Sequence, residues 1–127
     1  MTDLQLIDVA KRVCKPIVLS RPEFSAGTVG AALLTAGGNV YTGICIDLAC
    51  GLGFCAEASA AAEMLKHHET HIVKLVAVFE NGIPGAPRGR CREMPTQIDQ
   101  RNIHCSVVLW ARKQERHTSR PAFTLPA

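Results

Sequence analysis

The spacing of apolar residues predicts an amphipathic helix at the start of the chain. Apolar side chains recur three and four positions apart from Leu6 to Cys14, so they share one face of a helix. Asp3 is the expected N-cap, because its carboxylate can accept a hydrogen bond from a free backbone N–H of the first turn. Pro16 is the expected end of this helix.

Further elements follow from the same patterns. Two β-rich runs within residues 28–47 flank the turn-forming stretch 36–39 and predict a β-hairpin. The alanine-rich residues 55–69 predict a helix, and residues 71–80 predict a buried strand that stops at Asn81-Gly82.

The last third of the chain predicts one more helix and one more strand. A short helix is expected to start near Gly89 and to be kinked or shortened by Pro95. Residues 105–113 predict a strand, and the residues from about 112 onward are expected to be a partly extended or loose tail. The resulting order, in which strands alternate with helices, indicates one α/β domain spanning residues 1–127 with parallel crossovers.

Composition narrows the possible partners. A chain of 127 residues can bury the core of one domain, and its net charge of +3 is too small and too dispersed to indicate a nucleic-acid partner. No apolar run approaches the roughly 20 residues that a membrane-spanning helix needs. Because residues 1–14 are amphipathic rather than signal-like, we expect a cytoplasmic protein without a membrane partner.

The six cysteines draw attention to metal or nucleophile chemistry, because disulfides are disfavoured in the cytoplasm. Cys14 and Cys105 are expected to be small buried core residues. Cys55 and Cys91 each lie at the start of a predicted helix, where the helix dipole should lower the thiol pKa and favour the thiolate.

The two helix starts are expected to meet. Helices that leave neighbouring parallel strands begin at the same sheet edge, which would bring Cys55 and Cys91 together. Glu57 follows Cys55 by two residues, so its carboxylate can reach a group bound there. A metal held by thiolates beside a free carboxylate is the minimum equipment for activating water.

The hairpin, "GFCAE" and "PRGRCRE", in this order, resemble the cytidine deaminase superfamily, particularly its small cytidine- and blasticidin-deaminase-like branch. The resemblance covers residues from about 26 to about 93 and weakens towards the strand near residue 108. It implies a three-layer α/β sandwich with a mixed sheet of about five strands flanked by helices. It also implies zinc-dependent hydrolysis of a cytosine-like ring, as in cytidine, deoxycytidine or blasticidin S, with release of ammonia.

The resemblance assigns roles to individual residues. Cys55 and Cys91 become zinc ligands, and Glu57 becomes the group that carries protons between water and substrate. The backbone of Ala56 contacts the edge of the substrate ring. The resemblance further implies a homotetramer or homodimer with sites near the subunit contacts.

The chain departs from this family at the third zinc ligand. Arg88 stands at that position, and a guanidinium has no free lone pair for a metal. Three replacements are conceivable. Cys50 could reach in from its glycine-rich loop, Glu57 could ligate and so lose its role as a base, or a partner subunit could supply a donor.

The substrate pocket also departs from the family. Related nucleoside deaminases hold the ribose with an Asn-x-Glu pair, and the matching residues here are Cys45 and Asp47. Cys45 is a poor hydrogen-bond partner, whereas Asp47 can accept from a hydroxyl or an amine. Phe24 lies near the position of a family aromatic that covers the base, and core packing is the other interpretation of this residue.

Three functions therefore compete. The first is the zinc-dependent deaminase. The second is a catalytically impaired protein of deaminase fold that acts by binding or assembly, because Arg88 removes a ligand. The third is a cysteine-based or redox enzyme that uses Cys55 as its nucleophile without a metal.

Overall fold

The computed structural model describes the backbone of residues 1–86, 89–111 and 116–121, and the side chains of residues 1–86 and 91–109. The elements in chain order are helix α1 (Asp3–Val13), strands β1 (Ile17–Val18), β2 (Ser25–Thr35) and β3 (Val40–Asp47), helix α2 (Ala56–Lys66), strand β4 (Ile72–Phe79), helix α3 (Gly89–Ile98), and strands β5 (Ser106–Ala111) and β6 (Arg116–Pro121). Two short 3-10 helices, Ala49–Gly51 and Gln100–His104, lie before α2 and after α3.

The strands form one mixed sheet in the order β3–β2–β4–β5–β6, and the two-residue β1 pairs with the start of β2. β2 runs antiparallel to both β3 and β4, so β3 and β4 are parallel to each other. β4 and β5 pair directly in parallel, and β6 closes the edge antiparallel to β5. Helix α2 therefore connects the parallel strands β3 and β4, and α3 connects β4 and β5, as the predicted α/β architecture requires.

The side-chain period of two along the strands separates two cores. On one face, Ala32, Val76 and Val78 pack against Leu6, Ile7 and Ala10 of α1. On the other face the sheet packs against α2 and α3, and this core contains Ala31, Leu33, Ala56, Ala60, Met64, Leu75, Ala77 and Val107. The predicted arrangement of three layers, helix–sheet–helix, is confirmed.

Several predicted details change. Thr2, not Asp3, caps α1, because its hydroxyl accepts from the Gln5 N–H and the Gln5 side chain accepts from the Thr2 N–H. Asp3 instead pairs with Lys74 of β4 at 2.5 Å, which ties α1 to the sheet. The tail contributes a full strand, β6, which the weak periodicity of its sequence does not reveal.

The end of α3 is fixed by a fully buried asparagine. The Asn102 side chain donates to the Pro95 carbonyl (2.9 Å) and the Thr70 carbonyl (2.9 Å), and accepts from the Ile72 N–H (2.7 Å). Pro95 lies inside α3, and the helix continues for only three residues beyond it. Asn102 thus joins the last turns of α3 to the start of β4 with every polar atom of its amide in use.

Helix α2 lies unusually close to β3. A Cβ added to Gly43 would lie 2.3 Å from the Ala60 nitrogen and 2.6 Å from the Ala56 carbonyl oxygen. Only glycine fits at this contact, because real Cβ atoms do not approach backbone atoms so closely. The contact sets how deeply the first turn of α2 sits over the sheet.

No helix in the described part of the chain is both long and apolar enough to cross a membrane.

Gly43→Ala is expected to destabilise the fold by about 1–3 kcal/mol, because the added methyl group must push α2 away from β3. The midpoint of urea unfolding measures this effect. Thr42→Ala, at the neighbouring position of β3, is the control and is expected to cost less than about 1 kcal/mol. Equal effects of the two substitutions would contradict the close contact.

Candidate active site

Cys55 and Glu57 lie together at the N-terminal end of α2. Cys55 is the N-cap residue, with extended backbone angles (φ −79°, ψ 159°), and its thiol caps no backbone N–H of the helix. The thiol is therefore free to face other groups. Glu57 lies in the first turn and only 6% of its surface is exposed.

Cys91 completes the cluster from α3. It is the third residue of that helix and is 2% exposed. Its thiol donates to the Cys55 sulfur at 2.6 Å, and the ligand atoms of Cys55, Glu57 and Cys91 all lie within 4.8 Å of one another. We name these three residues the Cys-Glu-Cys cluster. They come together because the two crossover helices start at the same sheet edge.

Burial, rather than the helix dipole, is the main influence on the pKa of the Cys91 thiol. Desolvation raises the pKa of Cys91 far above its usual value, and the hydrogen bond to Cys55 and the nearby Glu57 carboxylate raise it further. The expected lowering of the thiol pKa at this helix start is therefore wrong for Cys91. A cation is needed to offset the cost of ionising this thiol in its buried position.

The donor set fits a zinc ion. Within the described residues, the Cys-Glu-Cys cluster is the one group of three His, Cys, Asp or Glu side chains whose ligand atoms converge in this way. Two sulfurs and a carboxylate oxygen are all common zinc donors. Arg88, which the sequence resemblance predicted at the position of a third ligand, lies outside the described residues. Cys50 is exposed in the 3-10 turn with φ 58° and is not part of the cluster.

A cavity of about 540 Å³ opens beside the cluster. Its volume is in the range of pockets that hold small-molecule ligands. Of the residues implicated by sequence, the cavity is lined by Cys45, Asp47, Cys55, Ala56, Glu57 and Cys91. Phe24 is half-buried in the turn before β2 and does not belong to the described residues that line the cavity.

Solved structures share this architecture over nearly the whole chain. A cytidine deaminase from Burkholderia pseudomallei is 30% identical, with a TM-score of 0.73, and the match covers 96% of this chain and 94% of that one. The chain belongs to the cytidine deaminase superfamily. The resemblance inferred from "GFCAE" and "PRGRCRE" is thereby confirmed at the level of family and fold.

More distant structures agree in fold. The cytidine deaminase from Mycobacterium tuberculosis is 23% identical over 98% of this chain and 100% of that one, with a TM-score of 0.73. The Mycobacterium leprae protein is 21% identical over 94% of each chain, with a TM-score of 0.73. No protein-family model matches the chain.

In this deaminase-fold protein the floor of the cavity is shaped by a bulge in β2. The register of β2 against β3 shifts between Ala26 and Gly30, so the residues between them do not pair regularly with β3. The freed Val29 N–H donates to the Cys45 sulfur (3.3 Å), and the Thr28 hydroxyl also contacts that sulfur (3.2 Å). Cys45 faces the cavity, but its thiol is engaged by β2. The exposed Asp47 is the carboxylate at the outer end of the same strand.

Sequence reasoning missed two aromatic residues of the cavity, Phe54 and Phe79. Phe54 is held by a bridge to Ile46, with backbone hydrogen bonds of 2.9 Å in both directions. Phe79 ends β4 on the same face as Leu75 and Ala77. The period of two along residues 75–79 could have indicated this placement.

Of the two cysteines predicted to be small buried core residues, Cys105 is buried, whereas Cys14 is only partly buried and packs against the core beneath α1. The Cys14 thiol donates weakly to the carbonyls of Thr28 (3.5 Å) and Val78 (3.6 Å), and burial raises its pKa. Cys105 is 1% exposed, and burial raises its pKa to about 12. Neither belongs to the Cys-Glu-Cys cluster.

The cysteines of chelator-treated protein are expected to react with iodoacetamide at pH 8 in the order of their accessibility. The exposed Cys50 should react first, and Cys105 should react at least about 100-fold more slowly because it is buried and almost entirely in the thiol form. Peptide mass spectrometry after timed quenching measures the order. Fast, selective labelling of Cys55 would contradict this order and would favour a cysteine nucleophile.

Proposed function

We propose that this protein is a zinc-dependent hydrolytic deaminase of a cytosine-like ring in a nucleoside-sized substrate. The observation that carries the proposal is the Cys-Glu-Cys cluster, which adjoins a cavity of about 540 Å³ in a cytidine deaminase fold. Cytidine, deoxycytidine and an aminopyrimidine nucleoside such as blasticidin S are the candidate substrates.

Cys55 and Cys91 would hold the zinc ion through their sulfurs. Zinc bound there would supply Lewis acidity, which lowers the pKa of a coordinated water towards neutrality. The fold brings the two sulfurs together from the starts of separate helices, and Cys91 is buried there with 2% of its surface exposed.

Glu57 is positioned to carry the proton. Its carboxylate lies on the cavity side of α2, close to both sulfurs, and is 6% exposed. It would accept a proton from the attacking water and deliver it to the ring nitrogen next to C4. A C–O bond forms at C4, Glu57 then moves the proton of the new C4 hydroxyl to the amino group, and the C4–N bond breaks to release ammonia and leave a C4 carbonyl.

The start of α2 would orient the ring. Ala56 is the first residue of the helix and is fully buried against the cavity. The first N–H groups of a helix have no partner within the helix, so they can donate to an acceptor on the ring edge. Asp47 would accept from a donor group on the substrate, because the Cys45 thiol is occupied by Thr28 and Val29.

A second candidate function rests on the donor count. Among the described residues, the cluster offers two thiols as metal donors, and its third donor is the Glu57 carboxylate. If Glu57 ligates the zinc ion, it cannot also carry protons, because a metal-bound carboxylate loses its basicity. The protein would then be a catalytically impaired member of the family that acts by binding or assembly.

Glu57→Gln is expected to lower kcat for ammonia release by about 10²–10⁴-fold, because the amide cannot take up a proton. Ammonia is measured by a coupled assay with cytidine, deoxycytidine and blasticidin S. Glu63→Gln is the matched control, since Glu63 lies in the same helix and forms ion pairs with the exposed Lys66 and His67. Zinc retained at wild-type affinity in Glu57→Gln supports the base role, whereas a parallel loss of zinc supports ligation and the impaired alternative.

Arg88→Cys is expected to strengthen zinc binding by at least about tenfold, because a thiolate replaces a cation that offers no lone pair. Competition with a chromogenic chelator measures the affinity, and the thiolate-to-metal absorption of the Co²⁺-substituted protein reports the number of bound sulfurs. Arg88→Ala controls for loss of the charge alone. Tight stoichiometric zinc in the wild type, unchanged by either substitution, would contradict a two-thiolate site.

A further inference from the structure

Phe79 presents a large apolar side chain to the cavity. It is the last residue of β4, it lines the cavity together with Glu57 and Cys91, and 49% of its surface is exposed. An aromatic ring exposed to this degree leaves apolar surface in contact with solvent, and a planar ligand bound beside the polar cluster can cover that surface.

The backbone of Phe79 is held rigidly on both sides. It pairs with Val29 of β2, its N–H donates to the Ile83 carbonyl (3.1 Å), and its carbonyl accepts from the Gly82 N–H (2.8 Å). The end of the strand and the turn after it therefore fix the backbone position of Phe79 and the direction in which its side chain leaves the sheet. The side-chain period of β4 directs it to the face of α2 and α3, as for Ala77.

The ring itself is supported by Gly85. A Cβ at Gly85 would lie 2.4 Å from Cε2 and 2.7 Å from Cζ of Phe79, so the ring occupies the space that a side chain would fill. The Gly85 N–H donates to the Ala77 carbonyl (2.8 Å), which holds this segment alongside β4. One side of the ring is thus packed, and the exposed remainder borders the cavity.

We propose that Phe79 is the platform on which the planar ring of the substrate stacks, and that Gly85 is required to seat it. This inference rests on the proposed function. It assigns the stacking role to a residue distant in sequence from Phe24, which does not lie among the described residues that line the cavity. Stacking on an aromatic side chain is tolerant of ring identity, so Phe79 recognises a flat heterocycle, and the other cavity groups select among heterocycles.

The test is a steady-state comparison of Phe79→Ala, Phe79→Leu and Phe79→Tyr with the wild type, using whichever of cytidine, deoxycytidine or blasticidin S is turned over. Phe79→Ala and Phe79→Leu are expected to raise KM about tenfold or more, with kcat within about threefold. Phe79→Tyr is expected to keep the wild-type KM because it retains the ring. Gly85→Ala is expected to raise KM like Phe79→Ala, since its methyl group displaces the ring.

Ile103→Ala is the matched control, because Ile103 is also 49% exposed but lies outside the lining of the cavity. Thermal melting confirms that each variant is folded. An unchanged KM in Phe79→Ala, or full retention by Phe79→Leu, overturns the stacking role. A rise in KM in Phe24→Ala but not in Phe79→Ala overturns it in favour of Phe24. Absence of ammonia release by the wild type from all three substrates defeats the proposed function and this inference together.

Discussion

The close contact between α2 and β3 is the constraint on which the site depends. Gly43 leaves room for the backbone of α2 at Ala56 and Ala60, and the small Ala31 and Ala77 extend the floor beneath it. A helix seated this close to the sheet presents its N-cap Cys55 and its first-turn Glu57 to the cavity. Small residues thus set the depth of the site without taking part in its chemistry.

The second fixed point is the start of α3. Cys91 reaches Cys55 across 36 residues of chain because the crossovers through α2 and α3 begin at one sheet edge. At its other end α3 is held by Asn102, whose side chain binds the Pro95 carbonyl and the first N–H of β4. The position of Cys91 is therefore set by the packing of a whole layer, which explains how a thiol with an unfavourable environment for ionisation is kept 2% exposed.

Sequence patterns predicted the features that depend on hydrophobic periodicity and on local helix and turn signals. The alanine-rich α2, the β2–β3 hairpin and the convergence of Cys55, Glu57 and Cys91 all follow from spacing and from the rules of parallel crossovers. The residues that form the walls of the cavity could not be predicted in this way, because their positions depend on irregular backbone structure. Phe54 is placed by an isolated bridge to Ile46, and the hydrogen bonds to Cys45 need a bulge in β2 that no residue pattern predicts. Strand β6 was missed because an edge strand needs little apolar periodicity.

The Cys-Glu-Cys cluster is positioned by the packing of the two helices that carry it. Gly43 and the alanines of α2 set the position of that helix through van der Waals contact, and Asn102 holds the end of α3 through hydrogen bonds to the Thr70 and Pro95 carbonyls. The structural similarity to cytidine deaminases therefore follows from this packing. Under the proposed function, the chemistry depends on which side chains offer lone pairs to the zinc ion and on whether Glu57 remains free to accept a proton.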